Sequence, residues 1–308
     1  MIYSAPARID LGGGTLDVPP LHYLIENSLT LNLAIDLRVS IDVRRGGSGL
    51  LFTRDEQPQQ LDSLPIFSLV LDHFAVRDVD IHLQTAIPKA AGLGGSSSLV
   101  VALVHALGLA GPEVVGDVTV LEHRLLGKPA GTQDAVAAIF GGLSKITFEH
   151  GTPHRQALAC PSFLREPLYL AYSKVQHHSG INNWAIIKAV CEGDRDMRNT
   201  LQALCENSYA MVAAIAENNR DQFTELLQTE ARLRRDLCPS ITTPEMEAFA
   251  KHFGERLACK VCGAGGGGAM FLFGENPDVD ELHWAATRHQ LQIIETRLDM
   301  RGCTKDGT

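Results

Sequence analysis

No stretch of the 308-residue sequence is apolar for long enough to cross a membrane. The longest nearly apolar run, Leu99 to Ala110, has about half of the roughly 20 residues that a bilayer requires, and His105 interrupts it. A secretory signal is also missing, because Arg8 and Asp10 stand where such a signal needs its apolar stretch. We therefore expect a protein that has no membrane partner and stays in the cytoplasm.

The sequence also lacks an excess of basic residues. Lys and Arg number 27 against 36 Asp and Glu, which gives a formal net charge of -9. Basic residues form only short groups, such as Arg232, Arg234 and Arg235. A protein of this charge repels a phosphate backbone, so binding of nucleic acid by general electrostatics is not expected. Small anions can still be bound by local backbone groups.

Cysteine is absent before Cys160. The sequence has seven cysteines, an odd number without a secretory context, which predicts reduced thiols rather than disulfides. Cys259 and Cys262 form a single C-x-x-C, but no second pair follows at the spacing of a zinc site. We interpret both as ordinary strand cysteines.

The length and the hydrophobic pattern indicate two domains. With 45% hydrophobic and 20% charged residues, the chain can build two cores of ordinary size. The alternation from Thr30 to Val43 predicts a half-buried strand, whereas the apolar run that begins at Ser96 predicts a buried helix capped by its own serines. After about residue 160 the order of predicted strands and helices suggests an α+β domain. We therefore predict an N-terminal domain over 1–159 and a C-terminal domain over 160–308.

Small residues crowd together in three segments. The first is Arg8 to Pro20, RIDLGGGTLDVPP; the second is Pro88 to Ser98, PKAAGLGGSSS; the third is Gly263 to Gly268, GAGGGG. A single glycine cluster is usually a turn. Three such clusters in one chain indicate backbone that approaches a ligand closely.

The second segment has the features of a phosphate-binding loop. Its glycines lack the Cβ atoms that would keep a ligand off the backbone, and the amides of Gly94 to Ser97 point forward from a predicted helix N-terminus. The Walker pattern needs Gly-Lys followed by Ser or Thr, but the Gly-Lys pair at Gly127 is followed by Pro129. The segment is therefore predicted to bind phosphate without being a Walker P-loop.

The third segment formally matches the G-x-G-x-x-G fingerprint of dinucleotide-binding oxidoreductases. That fingerprint requires a helix directly after the glycines. Ala269 to Phe273, AMFLF, is instead a strand-like run. A strand-loop-strand arrangement does not favour the oxidoreductase alternative.

Two carboxylates follow the second segment. Glu122 lies on one predicted helix and Asp134 begins the next, between Gly131 and the apolar run that ends at Phe140. Phosphoryl transfer needs one carboxylate to hold Mg²⁺ and one to position or deprotonate the acceptor hydroxyl. The apolar neighbours of Asp134 predict that its carboxylate lies at an interior site.

These motifs resemble those of the GHMP kinase family, which is named for galactokinase, homoserine kinase, mevalonate kinase and phosphomevalonate kinase. The first segment is similar to the R-x-D-L-x-G-G-x-x-D-x-P-P form of L-fucokinases and related sugar kinases, and NLAI follows at Asn32 to Ile35. The second segment resembles the family's P-x-x-x-G-L-G-x-S-S loop, and the third its last glycine-rich motif. The spacing from Glu122 to Asp134 resembles the Gly-x-x-Asp pattern of galactokinases and fucokinases.

The resemblance implies an α+β fold of two domains with a cleft between them: an N-terminal ribosomal-protein-like α/β domain and a C-terminal ferredoxin-like domain. It also implies ATP and Mg²⁺ as cofactors and a small-molecule sugar or sugar phosphate as partner. Asp134 would be the base or orienting carboxylate with Arg8 beside it, and Ser97 and Glu122 would hold Mg²⁺. The other implied contacts are with ATP at Gly92, Leu93, Gly94, Gly95, Ser96, Ser97 and Ser98, and with the acceptor at Gly13, Gly14, Asp17, Ser179, Gly265 and Gly266.

The sequence departs from the family pattern at two points. Ser98 stands where many relatives have alanine, so the serine that meets the metal is left open among Ser96, Ser97 and Ser98. Where relatives have a basic side chain after the C-terminal strand, this chain has Asn182 and Asn183. Neutral side chains there favour a free sugar, phosphorylated on the anomeric hydroxyl by analogy with fucokinase and galactokinase.

Three alternatives remain at this point. Lys174, Lys188 or Lys260 can supply the missing charge, which would favour a sugar-phosphate kinase, such as one acting on a heptose 7-phosphate. A non-catalytic sensor of sugar and ATP is the alternative from another functional class, but Asp134 and Glu122 are both present and favour an enzyme. The resemblance leaves the oligomeric state open and allows a homodimer.

Overall fold

The fold is that of a computed structural model, which describes residues 1–54, 56–111, 113–175, 181–275 and 277–305. Two sheets organise these residues. The strands of the first sheet are β1 (Ile2–Gly12), β2 (Leu29–Arg45), β3 (Leu50–Phe52), β4 (Gln59–Gln60), β5 (Val79–Thr85), β6 (Leu143–Glu149), β7 (Thr152–Leu158) and β12 (Thr304–Lys305). The strand order is β12-β1-β2-β5-β3-β4, with β6 paired to β2 and β7 paired to β6.

Five helices accompany the first sheet in the described part of the chain. They are α1 (Leu21–Leu24), α2 (Pro65–His73), α3 (Gly95–Ala106), α4 (Val114–Leu126) and α5 (Gln133–Phe140). The helix α3 contacts β1 and β2 on one side and α4 and α5 on the other, which explains why its sequence is apolar on every face. Both β1 and α3 are therefore interior elements, and they bring the first two glycine segments together.

The predicted serine cap of α3 is wrong. The N-cap is Gly94, whose φ of 74° is left-handed, and no side chain caps the helix. Ser98 instead donates to the carbonyls of Pro6 and Gly94, and Ser97 donates to Glu122. Tertiary partners have taken the hydroxyls that the local sequence would use for capping.

The second sheet is antiparallel and has the order β11-β8-β10-β9. Its strands are β8 (Leu168–Tyr172), β9 (Ala258–Val261), β10 (Ala269–Phe273) and β11 (Gln292–Thr296). The helices of this half are α6 (Ile181–Cys191), α7 (Arg195–Ala216), α8 (Arg220–Leu237), α9 (Pro244–Phe253) and α10 (Val279–Arg288). Capping follows the sequence here, because Asp194, Asn219, Thr243 and Asp278 each accept an amide at the start of a helix.

The end of the described chain returns to the first sheet. Residues Thr304 and Lys305 pair with β1, and the Arg38 side chain donates to the carbonyls of Ser4 and Gly302, each at 2.7 Å. Arg38 also forms an ion pair with Asp299. The strands β1–β7 thus lie before residue 160 and β8–β11 after it, while β12 returns to the first sheet, and the domain boundary at residue 160 stays a prediction.

The hydrophobic core is continuous across both halves. One cluster joins strand residues such as Ile9 and Leu33 to Met211 of α7, Phe223 of α8 and Phe271 of β10. The helices α7 and α8 pack on β1, so the second half covers the strand that leads into the first glycine segment. This packing builds the walls of the site from both halves.

The seven cysteines are all free in the described part of the chain. Cys259 lies in β9, and the buried Cys262 follows directly after that strand. No helix in the ranges that the structure covers combines the length and the apolar character needed to span a bilayer.

Candidate active site

The three glycine segments, which are far apart in sequence, meet at one cleft of about 1800 Å³. Gly92 and Gly263 are the point of contact between the second and third segments. Gly92 has a φ of +74°, and a Cβ at this position would lie 2.4 Å from the carbonyl oxygen of Cys262. Ala269 continues the contact, because its amide donates to the carbonyl of Ala91 at 2.8 Å. Only glycine allows this close approach.

The phosphate end of the cleft is formed by the start of α3. The amides of Gly95 to Ser97 are among the first of the helix and have no carbonyl partner within it. Together with the helix dipole they favour an anion at this place. Gly92 to Ser96 line the cleft, whereas Ser98 is buried and bonded to Pro6 and Gly94. The contact predicted for the Ser98 side chain is thus replaced by a contact within the core.

Ser97 and Glu122 lie together behind this loop. The Ser97 hydroxyl donates to Oε1 of Glu122, and both side chains are buried. Burial, with a smaller contribution from the nearby Asp134, raises the pKa of Glu122 to about 8 against the hydrogen bond from Ser97. Of the three serines, Ser97 is the one whose hydroxyl donates to an acidic side chain.

Asp134 stands in the first turn of α5, where it forms an ion pair with Arg8. Arg8 Nε and Nη2 each lie 2.7 Å from Oδ1 of Asp134, and Nη1 of Arg8 donates to the carbonyl of Gly92. The Arg8 side chain is 5% exposed and that of Asp134 is 24% exposed, so the carboxylate reaches the cleft while the guanidinium lies behind it. Burial lowers the pKa of Arg8, but the Asp134 and Asp10 carboxylates, with smaller contributions from other groups, together outweigh burial and raise the pKa above its usual value. Arg8 therefore stays charged and fixes the direction of Asp134.

Asp17 lies at the other end of the cleft and is bound to the residue that precedes Asp134. Gln133 donates its backbone amide to Asp17 Oδ2 at 3.0 Å, and its side-chain Nε2 lies 3.5 Å from Oδ1. A Cβ at Gly131 would lie 1.9 Å from Asp17 Oδ2, so the glycine leaves room for the carboxylate. Burial, with smaller contributions from Asp134 and Asp10, raises the pKa of Asp17 to about 6 against the hydrogen bond from the Gln133 amide. Asp17 is thus a buried acceptor held beside Asp134.

A cluster of four buried ionisable residues joins the two halves beneath this end of the cleft, and the sequence analysis missed it. Lys260 of β9 is fully buried, with Nζ 3.1 Å from Oδ2 of Asp10 and 2.7 Å from the Asp10 carbonyl. Arg234 of α8 lies 3.9 Å from the same Oδ2. Burial alone raises the pKa of Asp10, but Lys260, Arg234 and Arg8 together hold it below its usual value. Asp10 is therefore a buried anion shared by cations of both halves.

The fourth member of the cluster is Glu230, one helical turn before Arg234. It accepts the Gly13 amide at 3.0 Å and Asn207 Nδ2 at 3.3 Å. Burial and the nearby Asp10 raise the pKa of Glu230, Lys260 lowers it, and the net result is a pKa of about 7. The pattern of Glu230 and Arg234 on an amphipathic helix is the same as that of exposed charges, so their burial has no signal in the sequence.

Several predicted contacts lie elsewhere. Gly265 and Gly266 pack on Ile241, and Gly263 and Ala264 are the members of the third segment that line the cleft. Lys260, considered as a source of charge for the acceptor, is instead paired with Asp10. Two further predictions end differently: Lys188 faces Glu192 at 3.8 Å in a largely exposed pair, and Ser179 lies outside the described residues.

The neutral position after the C-terminal strand does reach the site. Asn183 at the start of α6 accepts the Thr15 hydroxyl at 2.9 Å, and both residues line the cleft. Arg234 donates to the same hydroxyl at 3.2 Å. This end of the cleft, which contains Asp17, therefore combines neutral amide and hydroxyl groups with one basic side chain that the sequence pattern did not indicate.

Comparison with known proteins agrees with these motifs. Residues 64–142 match the model of the family described as GHMP kinases N terminal domain. Glucuronokinase 1 of Arabidopsis thaliana is 27% identical over 203 residues, which cover 61% of this chain and 56% of that protein. The D-glycero-alpha-D-manno-heptose 7-phosphate kinase of Campylobacter jejuni is 25% identical over 303 residues, which cover 87% of each chain.

The fold extends the likeness to the whole chain. The solved structure of Lactococcus lactis galactokinase complexed with galactose matches with a TM-score of 0.76 at 15% identity, over 99% of this chain and 94% of that one. The predicted mixed fold of helices and strands is thus confirmed, and the three motifs stand in their family order around one cleft. Residues 64–142 thus match the GHMP kinase N-terminal domain, and the chain resembles kinases of that family in its motifs and in its fold.

Proposed function

We propose that the protein transfers the γ-phosphoryl group of ATP to a hydroxyl of a sugar. The observation that carries this proposal is the Arg8–Asp134 pair, which stands between the start of α3 and the Asp17 carboxylate. A phosphate at one end and a hydroxyl at the other would then have their reacting atoms beside one carboxylate. Positioning of this kind supplies much of the catalysis in phosphoryl transfer.

In this mechanism each residue has one task. The amides at the start of α3 bind the phosphates of ATP, and Arg8 holds Asp134 toward the acceptor. Asp134 accepts the proton of the attacking hydroxyl or orients that hydroxyl, and its partial exposure leaves the carboxylate within reach of the cleft. Asp17 accepts a hydrogen bond from another hydroxyl of the same sugar, as a carboxylate without donors must.

The residues behind the phosphate loop fit a magnesium ion. Glu122 and Ser97 offer hard oxygen ligands, and Mg²⁺ usually completes its shell with water and substrate phosphates. Glu122 is a buried carboxylate without a basic partner in its hydrogen bonds, and a cation would favour its ionised form. The described residues contain no cluster of three or more His, Cys, Asp or Glu side chains suited to a metal. When bound, Mg²⁺ would neutralise charge on the transferring phosphates.

The acceptor is proposed to be a free sugar, with the anomeric hydroxyl near Asp134. Asp17, Thr15 and Asn183 suit neutral hydroxyls, and a carboxylate repels a substrate phosphate. Arg234 is the specific observation that favours a second candidate, a sugar-phosphate kinase, because it adds a cation at this end. The name of the Arabidopsis thaliana relative gives an acidic sugar as the substrate of that protein. The name of the Campylobacter jejuni relative gives a sugar phosphate.

The test is a screen for ADP release with ATP and Mg²⁺ across free hexoses, pentoses, heptoses and their phosphates. We expect release that depends on a sugar and disappears in Asp134→Asn. The matched control is Asp236→Asn, an aspartate with a 54% exposed side chain on α8, which should keep the wild-type rate. A preference above about tenfold in kcat/KM for the terminal phosphate over the free sugar would make the sugar-phosphate kinase the better function. Binding of sugar and ATP without turnover would favour the sensor.

A further inference from the structure

We propose that Arg234 is a positioning residue that holds the acceptor loop, residues 13–17, against the third glycine segment, so that the C-terminal half sets the place of Asp17. The proposal rests on the proposed kinase function and extends it to a residue outside the three motifs. It makes Arg234 part of acceptor binding through the backbone, without requiring that Arg234 touch the sugar.

The hydrogen bonds of Arg234 join two segments that are far apart in the sequence. Nη1 donates to the Gly14 carbonyl at 2.7 Å and to the Thr15 hydroxyl at 3.2 Å. Nη2 donates to the Gly263 carbonyl at 2.6 Å. Gly14 follows the end of β1, whereas Gly263 follows β9 in the other sheet. One planar guanidinium therefore spans the interface of the two halves directly beside the cleft.

The acceptor loop forms hydrogen bonds with α8 and α6 in addition to those with Thr30 of β2 and Gln133 of α5. Glu230 takes the Gly13 amide, Arg234 takes Gly14 and Thr15, and Asn183 takes the Thr15 hydroxyl. Within the loop itself, the turn is closed by the amide of Leu16, which donates to the Gly13 carbonyl at 3.1 Å, and by that of Val18, which donates to Thr15 at 3.0 Å. Asp17 lies inside this turn, so a shift of the loop moves its carboxylate.

Stability alone does not account for the buried charge of Arg234. Apolar residues of similar volume often replace buried ion pairs without loss, so a buried cation is weak evidence of a stabilising role. An apolar side chain cannot, however, donate to carbonyls of two segments at once. Lysine keeps the charge, but its ammonium group is a single compact donor centre. It cannot replace two guanidinium nitrogens that donate to carbonyls of different segments. Arg234→Lys therefore separates the geometry of the contact from its charge.

The first experiment compares Arg234→Lys with Arg235→Lys, the exposed neighbour on the same helix. With the acceptor found in the screen, Arg234→Lys should raise the KM for that acceptor by about tenfold or more while the KM for ATP changes less than about twofold. Arg235→Lys should match the wild type. Equal increases in both KM values, or no increase, would overturn the proposal.

The second experiment does not require turnover. Hydrogen exchange of the folded variants should be faster than wild type in peptides that cover 13–18 and 263–268, and unchanged in the second sheet around β10. Faster exchange throughout the chain would indicate a purely structural role and overturn the positioning role. If no sugar supports ADP release but exchange increases only in these two segments, the proposed function fails while the contact between the segments stands.

Discussion

The two ends of the cleft are built in different ways. The phosphate end comes from one continuous segment, Gly92 to Ser97, with Glu122 packed behind it from the next helix. The acceptor end draws Asp17, Asn183 and Arg234 from three elements spread over both halves. At the phosphate end, backbone amides and short side chains form the site. At the acceptor end, long side chains and buried charges hold the backbone in place.

The difference separates what is shared from what is specific. A phosphate group is recognised by amides and a helix dipole, which a short glycine loop supplies by itself. A sugar is recognised by donors and acceptors placed around several hydroxyls, which requires contributions from distant elements. We therefore expect substitutions at the acceptor end to act on stability and acceptor binding, and those at the phosphate end to act on metal dependence and turnover.

The largest effect is expected for Lys260→Met, beneath the acceptor end. This change leaves the Asp10 carboxylate buried without its nearest cation, and breaking a buried pair usually costs about 3–5 kcal/mol. Urea or guanidinium unfolding measures the loss, with Lys188→Met, whose side chain is 64% exposed, as the control. The double variant Asp10→Asn/Lys260→Met should recover part of the loss, because the buried carboxylate and its nearest cation are then removed together. An unchanged free energy of unfolding in Lys260→Met would contradict the buried pair.

The next effect concerns Asp134, which stands between the two ends. Asp134→Asn should lower kcat by about 10²-fold or more, because the amide cannot accept the hydroxyl proton. The affinity for ATP, measured by titration with a non-hydrolysable analogue, should stay nearly unchanged. Full activity of this variant would remove Asp134 from the mechanism.

At the phosphate end, Ser97 and Glu122 should act together on the metal. Ser97→Ala and Glu122→Ala should each raise the Mg²⁺ concentration needed for half-maximal rate, by about tenfold. The double variant should lose less than the sum of the two changes, since both hold the same ion. Additive losses would indicate that only one of them is a ligand.

The smallest effect is a pH dependence at the acceptor end. The pKa of Asp17 is raised to about 6 by burial, and Asp134, Asp10 and Arg8 also act on it. Asp17 is therefore ionised above pH about 6 and takes up a proton below it, so acceptor kcat/KM at saturating ATP should fall about tenfold per pH unit in the acidic range. Because this pKa lies above that of an unfolded aspartate, protonation of Asp17 should not weaken the fold as the pH falls through 6.

The control for this limb is Asp17→Asn, which should show a lower but flatter profile over the same range. A wild-type profile that stays flat between pH 5 and 7 would mean that Asp17 does not bind the acceptor in its ionised form. A limb that persists unchanged in Asp17→Asn would assign it to another group.

The sequence by itself determined the resemblance to the GHMP kinases, the three motifs and most element types. It did so because glycine spacing, helix caps and hydrophobic periodicity are local properties: β10 at Ala269–Phe273 is found where it was predicted, and α3 begins one residue before the predicted Ser96. It also determined which carboxylates to consider, since Asp134 and Glu122 follow the phosphate loop at a fixed spacing.

Tertiary structure alone decided what those residues contact. The hydroxyls of Ser97 and Ser98 left the helix cap for partners on other elements, and Gly265 and Gly266 turned to Ile241 instead of the cleft. Lys260 and Arg234 look like surface charges in the sequence, yet the packing of α8 and β9 on β1 buries them beside Asp10. Burial and pairing depend on residues more than 200 positions away, and no local pattern contains that information.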